Sequence, residues 1–342
     1  MKKRFDITKP MQVGGQAVLE GVMMRAPGMV ATAVRRSNGE IVVKKEPHVA
    51  LAEKYPLLKF PILRGALGLI EMMVIGMRTL NFSAEIAMQD VEPFAKNNGN
   101  GEEPQNVSDK PDASSSKDNL KLGLTVAFSL AVGVALFFVT PLFMATFFFN
   151  VGQEPLVFNL IAGGIRIALL LVYLFTISRL KDIHRLFQYH GAEHKAVFAF
   201  ERGEGLDVAA AARQSRFHPR CGTSFLLIVM IVAILLFSIL DAIVMNWIGQ
   251  LTLVVRLLTH LPLIPLVGGV SYEFIKASAK RSETPIGKII VAPGLWLQKI
   301  TTQEPDETQL EVAIVALRCA LGEEYTLNSP VNLLALEEAS VN

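Results

Sequence analysis

Residues 224–247 read SFLLIVMIVAILLFSILDAIVMNW, a long apolar run that contains a single charged side chain, Asp241. A bilayer-spanning helix needs about 20 consecutive apolar residues, so this run is long enough to cross a membrane. Three more runs of similar length lie at about 122–148, 156–178 and 251–275. Because 51% of the 342 residues are also apolar, we predict a mainly α-helical, polytopic membrane protein with about four transmembrane helices.

Basic residues are concentrated in the loop between the second and third runs and in the segment after the fourth. The connectors at residues 150–154 and 249–250 contain no Lys or Arg. By the positive-inside rule, we expect both termini and the loop at 179–222 to face the cytosol, in a multi-pass protein of the cytoplasmic membrane. The net charge of +2 does not indicate a nucleic-acid surface. The lipid bilayer is therefore the expected partner, and a homo-oligomer stays open.

The N-terminal residues 1–59 are predicted to form a small, cytosolic, β-rich unit. Residues 30–36 and 41–45 flank Asn38-Gly39, which is a strong signal for a two-residue β-hairpin turn. The glycine-rich stretch at residues 14–25 (GGQAVLEGVMMR) matches neither a P-loop nor a dinucleotide fingerprint. We interpret it as a turn that leads into packed strands. This hairpin would belong to a small α+β unit beside the helical membrane part.

Residues 60–93 are predicted to form an amphipathic or membrane-associated helix. Its ionisable side chains recur at seven-residue intervals: Arg64, Glu71, Arg78 and Glu85. Such spacing draws one polar stripe along a helix, which suits a position at the membrane surface or against the bundle. In the alternative, this segment is a fifth crossing and the hairpin unit lies on the opposite side. Residues 94–119 are polar and are predicted to be a flexible linker.

The remaining segments complete the predicted organisation. Residues 120–178 contain the first two transmembrane helices, and residues 223–275 contain the third and fourth. Residues 276–342 are predicted to be a cytosolic C-terminal region. It would hold an interfacial helix at 285–301 and a packing helix at 307–320, followed by weakly ordered final residues.

The loop at residues 179–222 contains a candidate metal site. His190 and His194 stand four residues apart, so both fall on one face of a helix and can share one metal ion. Between them, Glu193 completes His-x-x-Glu-His. This is the order of the inverted zinc-peptidase motif, in which the glutamate is the general base for a metal-activated water.

Two more possible ligands follow in the same loop, His218 and Cys221. This loop alone could therefore supply four ligands to a divalent metal, most suitably zinc. A site with all four positions filled by protein would be structural. With three protein ligands, an open position would hold a water that Glu193 could deprotonate, and the site would be catalytic. Glu273 is an alternative third ligand, because inverted zinc peptidases use a distant downstream glutamate.

Other interpretations of the polar residues stay open. The histidines could be hydrogen-bonded residues of a juxtamembrane helix, and Cys221 could be a nucleophile with a histidine base. Within the spans, Asp241 and Arg256 are predicted to form an ion pair. Arg166 and His260 would be either structural polar residues of the bundle or part of a proton or ion path.

Four stretches together resemble one known family: residues 14–25, 189–195 (YHGAEHK), 218–225 (HPRCGTSF) and 293–298 (PGLWLQ). They are similar to the YqhQ-like proteins, uncharacterised bacterial integral membrane proteins described as predicted metal-dependent enzymes. The resemblance covers nearly the whole chain apart from the linker. It implies a multi-span protein of the cytoplasmic membrane with a metal centre, and it implies no particular reaction.

From these observations we predict a metal-dependent enzyme at the cytosolic face of the membrane, such as a hydrolase of a peptide or a lipid-linked substrate. The substrate itself is unknown. The metal ligands would come from His190, His194, His218, Cys221 and Glu273, with Glu193 as the base. The alternatives are a membrane scaffold with a structural metal site and a transport component that uses the polar residues of the spans.

Overall fold

The computed structural model describes residues 13–51, 55, 58, 60–96, 116–149, 151–279, 284–323 and 331–334. In chain order the strands are β1 (Gly14–Val18), β2 (Gly21–Ala26), β3 (Gly28–Arg35), β4 (Ile41–His48) and β5 (Val331–Leu334). The helices are α1 (Pro61–Lys96), α2 (Ser116–Val134), α3 (Thr140–Phe148), α4 (Pro155–Ile177), α5 (Lys181–Glu201), α6 (Val208–Ala212), α7 (Gly222–Ile248), α8 (Leu253–His260), α9 (Ile264–Ala279), α10 (Pro285–Thr301) and α11 (Glu307–Ala320).

The chain divides into two compact units. The sheet unit comprises Met1–Phe94, Leu174–Ile228 and Gly268–Asn342. The bundle unit comprises Ala95–Tyr173 and Val229–Val267.

The sheet unit is built on strands β1 to β4, which pair antiparallel in chain order. The predicted hairpin is formed by β3 and β4, but its turn differs from the predicted two-residue type. Gly39 N–H donates to Arg36 O, so Ser37 and Asn38 occupy the centre of the turn and Gly39 follows it. Gly39 has φ +86°, the left-handed conformation that closes a three-residue hairpin loop.

Two other parts of the sheet differ from the sequence-based expectation. The glycine-rich stretch is itself a hairpin, since β1 and β2 pair with Val18 opposite Gly21. In addition, β5 pairs in parallel with β4, so the final residues that were expected to be weakly ordered contribute a strand. The pairing of β1 with β2 and of β5 with β4 adds backbone hydrogen bonds that no local pattern in the sequence indicates.

Helix α1 packs one face on this sheet. Phe82 and Ile86 are buried against Val18, Val34 and Val42 of the strands. Glu71 of the polar stripe is hydrogen-bonded within the same unit: its carboxylate accepts from Leu51 N–H at 3.0 Å. A helix held to a sheet in this way fits the predicted surface or packing position.

Helix α11 forms the centre of the sheet unit. It has the predicted bounds, 307–320, and begins with a capping box formed by Asp306 and Gln309. Ile314 and Leu317 are almost fully buried in a core that α11 shares with β2, β3 and α5. Helix α5, which carries the candidate metal ligands, is thereby fixed between α11 and the strands.

Among the described residues, four helical segments are long and apolar enough to cross a membrane: Gly123–Phe148, Pro155–Ile177, Gly222–Ile248 and Leu253–Ser278. They coincide with the four apolar runs, so the predicted fold class is confirmed as a mainly helical, four-span chain with an N-terminal antiparallel sheet. The predicted linker at 94–119 overlaps helices at both of its ends. Helix α1 extends to Lys96 and α2 begins at Ser116, whereas residues 97–115 lie outside the described residues.

The bundle unit contains a buried polar network centred on Asp241. Its carboxylate accepts hydrogen bonds from Arg256 Nε at 2.9 Å and from Asn159 at 2.8 Å. His260 Nε2 lies 2.8 Å from the second carboxylate oxygen. The predicted ion pair between Asp241 and Arg256 is therefore present, and His260 belongs to the same network.

Candidate metal centre

His190, His194 and Cys221 form a cluster in which one ligand atom of each residue lies within 4.8 Å of the others. The two histidines are one turn apart on α5, and their ring centroids are 4.5 Å apart. Cys221 directly precedes α7, and its Sγ lies 3.2 Å from His190 Nε2. The helical spacing predicted from the sequence thus brings two imidazoles together, and the start of α7 adds a thiol beside them.

Both imidazoles are oriented through Nδ1 by backbone carbonyls. His190 Nδ1 lies 2.8 Å from Thr301 O, and His194 Nδ1 lies 2.5 Å from Arg216 O. A carbonyl can only accept, so each Nδ1 carries the proton and each Nε2 keeps a lone pair. Metal-binding histidines are held in the same way, by a hydrogen bond from the ring nitrogen that does not bind the metal.

The second ring nitrogen of His194 is left without a partner. His194 Nε2 is buried and forms no hydrogen bond within the described part of the chain. Burial lowers the pKa of His194, and the neighbouring Cys221 offsets only part of this effect. The ring is therefore neutral at pH 7, which is the form that binds a metal. A buried, unpartnered nitrogen beside a thiol fits a divalent ion.

Cys221 is supported by the first turn of α7. Thr223 N–H donates to Sγ at 3.4 Å, and Thr223 Oγ1 lies 3.1 Å from the same sulfur. These contacts place hydrogen-bond donors of Thr223 next to the sulfur. Such donors suit a thiolate ligand.

Glu193 lies beside the cluster and is only 6% exposed. Its Oε2 is 3.6 Å from His194 Nε2. Burial raises the pKa of this carboxyl, while His190, His218 and a hydrogen bond from Gly15 N–H act in the opposite direction. A buried carboxyl group with a raised pKa beside imidazole rings is suited to take up and release a proton.

Strand β1 approaches the cluster through Gly15. A Cβ on Gly15 would lie 2.8 Å from Glu193 Cγ and 2.5 Å from Met23 O. A turn was predicted at this glycine, but the residue instead lies in a strand and allows it to approach the Glu193 side chain closely. Gly191 has a similar role on α5, since its Cβ would lie 2.1 Å from Gln303 O.

The structure does not bring His218 into the cluster. Its Nδ1 accepts from Arg220 N–H at 3.2 Å, and its Nε2 lies 3.3 Å from a Glu201 oxygen. The ring packs against Phe198, with centroids 4.4 Å apart, and against His194 at 5.6 Å. His218 therefore forms a wall of the site.

Glu273 is likewise separate from the cluster. Its two carboxylate oxygens accept hydrogen bonds from Arg64 Nε and Nη2 at 2.7 and 2.6 Å. Such a bidentate guanidinium pair occupies both oxygens that a metal would need. Of the five predicted ligands, only His190, His194 and Cys221 come together.

Sequence reasoning missed Gln298, which holds the loop that carries Cys221. This side chain is fully buried. Its Oε1 accepts from His218 N–H at 2.8 Å, and its Nε2 donates to His218 O at 2.8 Å and to Ser224 Oγ at 3.1 Å. The position of this glutamine inside the apolar run 285–301 could have indicated its role, because a buried amide needs hydrogen-bond partners.

Glu20, for which the sequence offered no partner, joins the β1–β2 turn to α5. Its carboxylate accepts from Arg185 at 2.6 Å and lies 3.3 Å from the Tyr189 hydroxyl. Tyr189 immediately precedes His190 and is fully buried. The turn therefore fixes the part of α5 from which the first ligand projects.

Comparisons with known proteins agree with the resemblance drawn from the four sequence stretches. Residues 60–323 match the family model described as "Protein of unknown function (DUF1385)". The chain is similar to the "Uncharacterized protein YqhQ" of Bacillus subtilis (strain 168), with 33% identity over 310 residues that cover 89% of this chain and 91% of that protein. No solved structure matches the chain. These comparisons name no activity, substrate or cofactor.

Proposed function

The chain belongs to the DUF1385 family of proteins of unknown function, and we propose that it is a metal-dependent enzyme with its centre at His190, His194 and Cys221. One observation carries this proposal. Two imidazoles whose Nδ1 atoms are held by carbonyls lie beside a cysteine sulfur, and among the described residues the Nε2 of His194 is buried without a hydrogen-bond partner. Burying such a nitrogen is costly unless something binds it.

The donor set suits a borderline divalent ion, zinc above all. Two nitrogens and one sulfur match the preferences of zinc, and three protein ligands are the number found in catalytic zinc sites. When bound, the ion would supply Lewis acidity and lower the pKa of a coordinated water.

Glu193 is the acid–base group in this proposal. Its carboxyl lies beside the open side of His194 Nε2, and Gly15 N–H helps to orient it. It would take up a proton at Oε2 and release it during turnover. His218 packs beside His194, with ring centroids 5.6 Å apart, and would limit access of bulk water.

The basic loop residues support a cytosolic location of the centre. Cys221 directly precedes a membrane-length helix, Gly222–Ile248, so the cluster would lie close to the bilayer surface. A hydrolase of a peptide or lipid-linked substrate fits this position, because a water-activating centre there can reach bonds near the membrane.

A structural metal site in a membrane scaffold is the second candidate. The observation that favours it is the position of the His218 ring, 5.6 Å from that of His194. A change of its side-chain rotamer could add a fourth ligand and close the shell. The two candidates differ in Glu193, which a structural site does not need.

Elemental analysis of the detergent-purified, full-length protein tests the proposal. We expect near-stoichiometric metal in the wild type and its loss in a variant with both His190→Ala and His194→Ala. His184→Ala is the matched control, because this exposed histidine of α5 lies outside the cluster. Absence of metal after chelator-free purification, with no uptake of added zinc by folded protein, would refute a metal centre.

Glu193→Gln then separates enzyme from scaffold. We expect this variant to keep its metal and to fail in complementing a deletion strain whose growth or envelope phenotype the wild type restores. Full complementation by a metal-loaded Glu193→Gln protein would instead support the structural site.

A further inference from the structure

We propose that the substrate of this centre is an extended peptide that pairs with the outer edge of β1 as an added strand. This inference rests on the proposed function and specifies its substrate class. Among the described residues, β1 pairs with β2 alone, so β1 forms one edge of the sheet. An unpaired strand edge presents a row of N–H and C=O groups to which another chain can bind.

The edge of β1 is accessible in the sheet unit. Gly14–Ala17 are exposed or half-buried, whereas β2 is buried except at Arg25. Helix α1 packs on one face of the sheet, and α5 and α11 pack on the other. Because helices cover both faces, the exposure of β1 comes from its outer edge.

A hydrogen bond of Gly15 shows which backbone groups point outward. Gly15 N–H donates to the Glu193 carboxylate, and therefore points away from β2. Residues that bond to one neighbour and residues that bond to the opposite side alternate along an antiparallel strand. Ala17, two residues later, thus directs its N–H and C=O outward, together with the C=O of Gly15.

These outward groups begin at the proposed acid–base residue. Glu193 Oε2 lies 3.6 Å from His194 Nε2, and the same carboxylate binds Gly15 N–H. A peptide paired antiparallel with β1 places one residue opposite Ala17 and the residue two positions later opposite Gly15. The carbonyl of this later residue points toward Gly15 N–H. The peptide bond that follows it therefore lies beside Glu193.

The spacing of the outward groups selects a peptide over a lipid chain. They recur every two residues, about 7 Å, which is the repeat of an extended polypeptide. A lipid chain has no N–H or C=O at this repeat and would leave these groups without partners. Hydrolysis would add the hydroxyl of water to the carbonyl carbon, break the C–N bond and leave the second proton, passed on by Glu193, on the released amine.

Binding of acetyl-Ala-Val-Ala hydroxamate to the full-length, zinc-loaded protein in detergent tests this proposal. The hydroxamate takes the place of the peptide bond beside Glu193, and acetohydroxamic acid serves as the reference ligand without a peptide part. By calorimetry, we expect the peptide hydroxamate to bind at least about tenfold more tightly, since its backbone adds three hydrogen bonds. Equal affinities would overturn the proposal.

N-methylation of the probe shows whether it pairs as a strand. The N–H groups of both alanines face β1 in this arrangement, and that of the valine faces away. Methylation of either alanine nitrogen should weaken binding about fivefold, the scale of one lost hydrogen bond, and methylation of the valine nitrogen should not. Equal losses at all three positions would exclude strand pairing.

A variant of β1 tests the same contact from the protein side. Ala17→Pro removes the outward N–H, and proline is tolerated in an edge strand where its nitrogen faces away from the sheet. We expect weaker binding of the peptide hydroxamate and unchanged binding of acetohydroxamic acid. Ala17→Ser keeps the N–H and should bind like the wild type. Equal binding by Ala17→Pro would contradict the proposed contact, and the N-methylated probes carry the test if this variant does not fold.

Hydrogen exchange at Ala17, together with the zinc content, separates this proposal from the proposed function. In the free protein the Ala17 amide should exchange faster than that of Gln16, which bonds to β2; equal protection would mean that another segment already covers the edge and would overturn the proposal. Bound zinc without any gain from the peptide part would refute the peptide and leave the metal centre in place. Protection of Ala17 by acetyl-Ala-Val-Ala amide in protein that takes up no zinc would refute the metal centre and keep the peptide-binding edge.

Discussion

His190 Nε2 lies 3.2 Å from Cys221 Sγ, although 31 residues separate the two in the chain. The histidine projects from α5, and the cysteine lies at the start of α7. Helix α10 positions both side chains. Thr301 O accepts a hydrogen bond from His190 Nδ1–H, and Gln298 Oε1 accepts one from His218 N–H in the loop before Cys221. Three helices must therefore be correctly placed before the cluster exists.

Cobalt binding should report this contact directly. With Co²⁺ in place of zinc, we expect a thiolate-to-metal charge-transfer absorption in the near ultraviolet, since the sulfur is a predicted ligand. Cys221→Ser should abolish the band. Cys319→Ser should keep it, because Cys319 is buried in the core around α11. A band that survives Cys221→Ser would show that this sulfur does not bind the metal.

Gly15→Ala should displace Glu193 or strand β1. The added methyl would meet Met23 O at 2.5 Å and Glu193 Cγ at 2.8 Å, and such overpacking costs about 1–3 kcal/mol. Gly14→Ala is the control, because nothing lies within 4 Å of a Cβ at that position. Thermal unfolding in detergent should show a lower Tm for Gly15→Ala alone. Equal Tm values would contradict the close approach of β1 to Glu193.

Asp306 should make the stability of α11 depend on pH. Burial raises the pKa of this carboxyl, but hydrogen bonds from Thr308 and from Gln309 N–H outweigh burial and leave the pKa below its usual value. A group with a depressed folded-state pKa stabilises the fold above its unfolded pKa and loses this effect as pH falls through the folded one. We therefore expect α11 to open more readily below about pH 4.

Hydrogen exchange of residues 307–320, corrected for the intrinsic exchange rate, measures this opening. Asp306→Asn keeps a capping side chain but cannot titrate, so the pH dependence should become flatter. An unchanged pH dependence in Asp306→Asn would mean that another group is responsible.

The network around Asp241 should show strong coupling between its charges. Asp241→Leu leaves the fully buried Arg256 without its carboxylate, and removing one partner of a buried ion pair costs about 3–5 kcal/mol. The double variant Asp241→Leu with Arg256→Met removes both charges and should be less destabilised than either single variant. Unfolding free energies in detergent provide this double-mutant cycle, and additive effects would rule out the coupling.

Local patterns in the sequence were sufficient for the fold class and the main helices, but not for the β1–β2 hairpin or for β5. Each membrane-length segment is a mainly apolar run of 23 to 27 residues, and the helix at 307–320 carries its own capping residues. The spacing of His190 and His194 placed both rings on one face of a helix. These features depend on residues within a few turns of each other, so hydropathy, periodicity and capping predict them.

Only the tertiary structure decided which residues complete the site. Cys221 reaches His190, whereas His218 is turned toward Glu201 and Glu273 is bound by Arg64, 209 residues away. All three were chemically suitable ligands. Their distances depend on how separate helices pack and on which side chain each polar group meets, and no local pattern contains that information. The sequence by itself determined the membrane helices and the paired imidazoles, and tertiary packing selected Cys221 as the third candidate ligand.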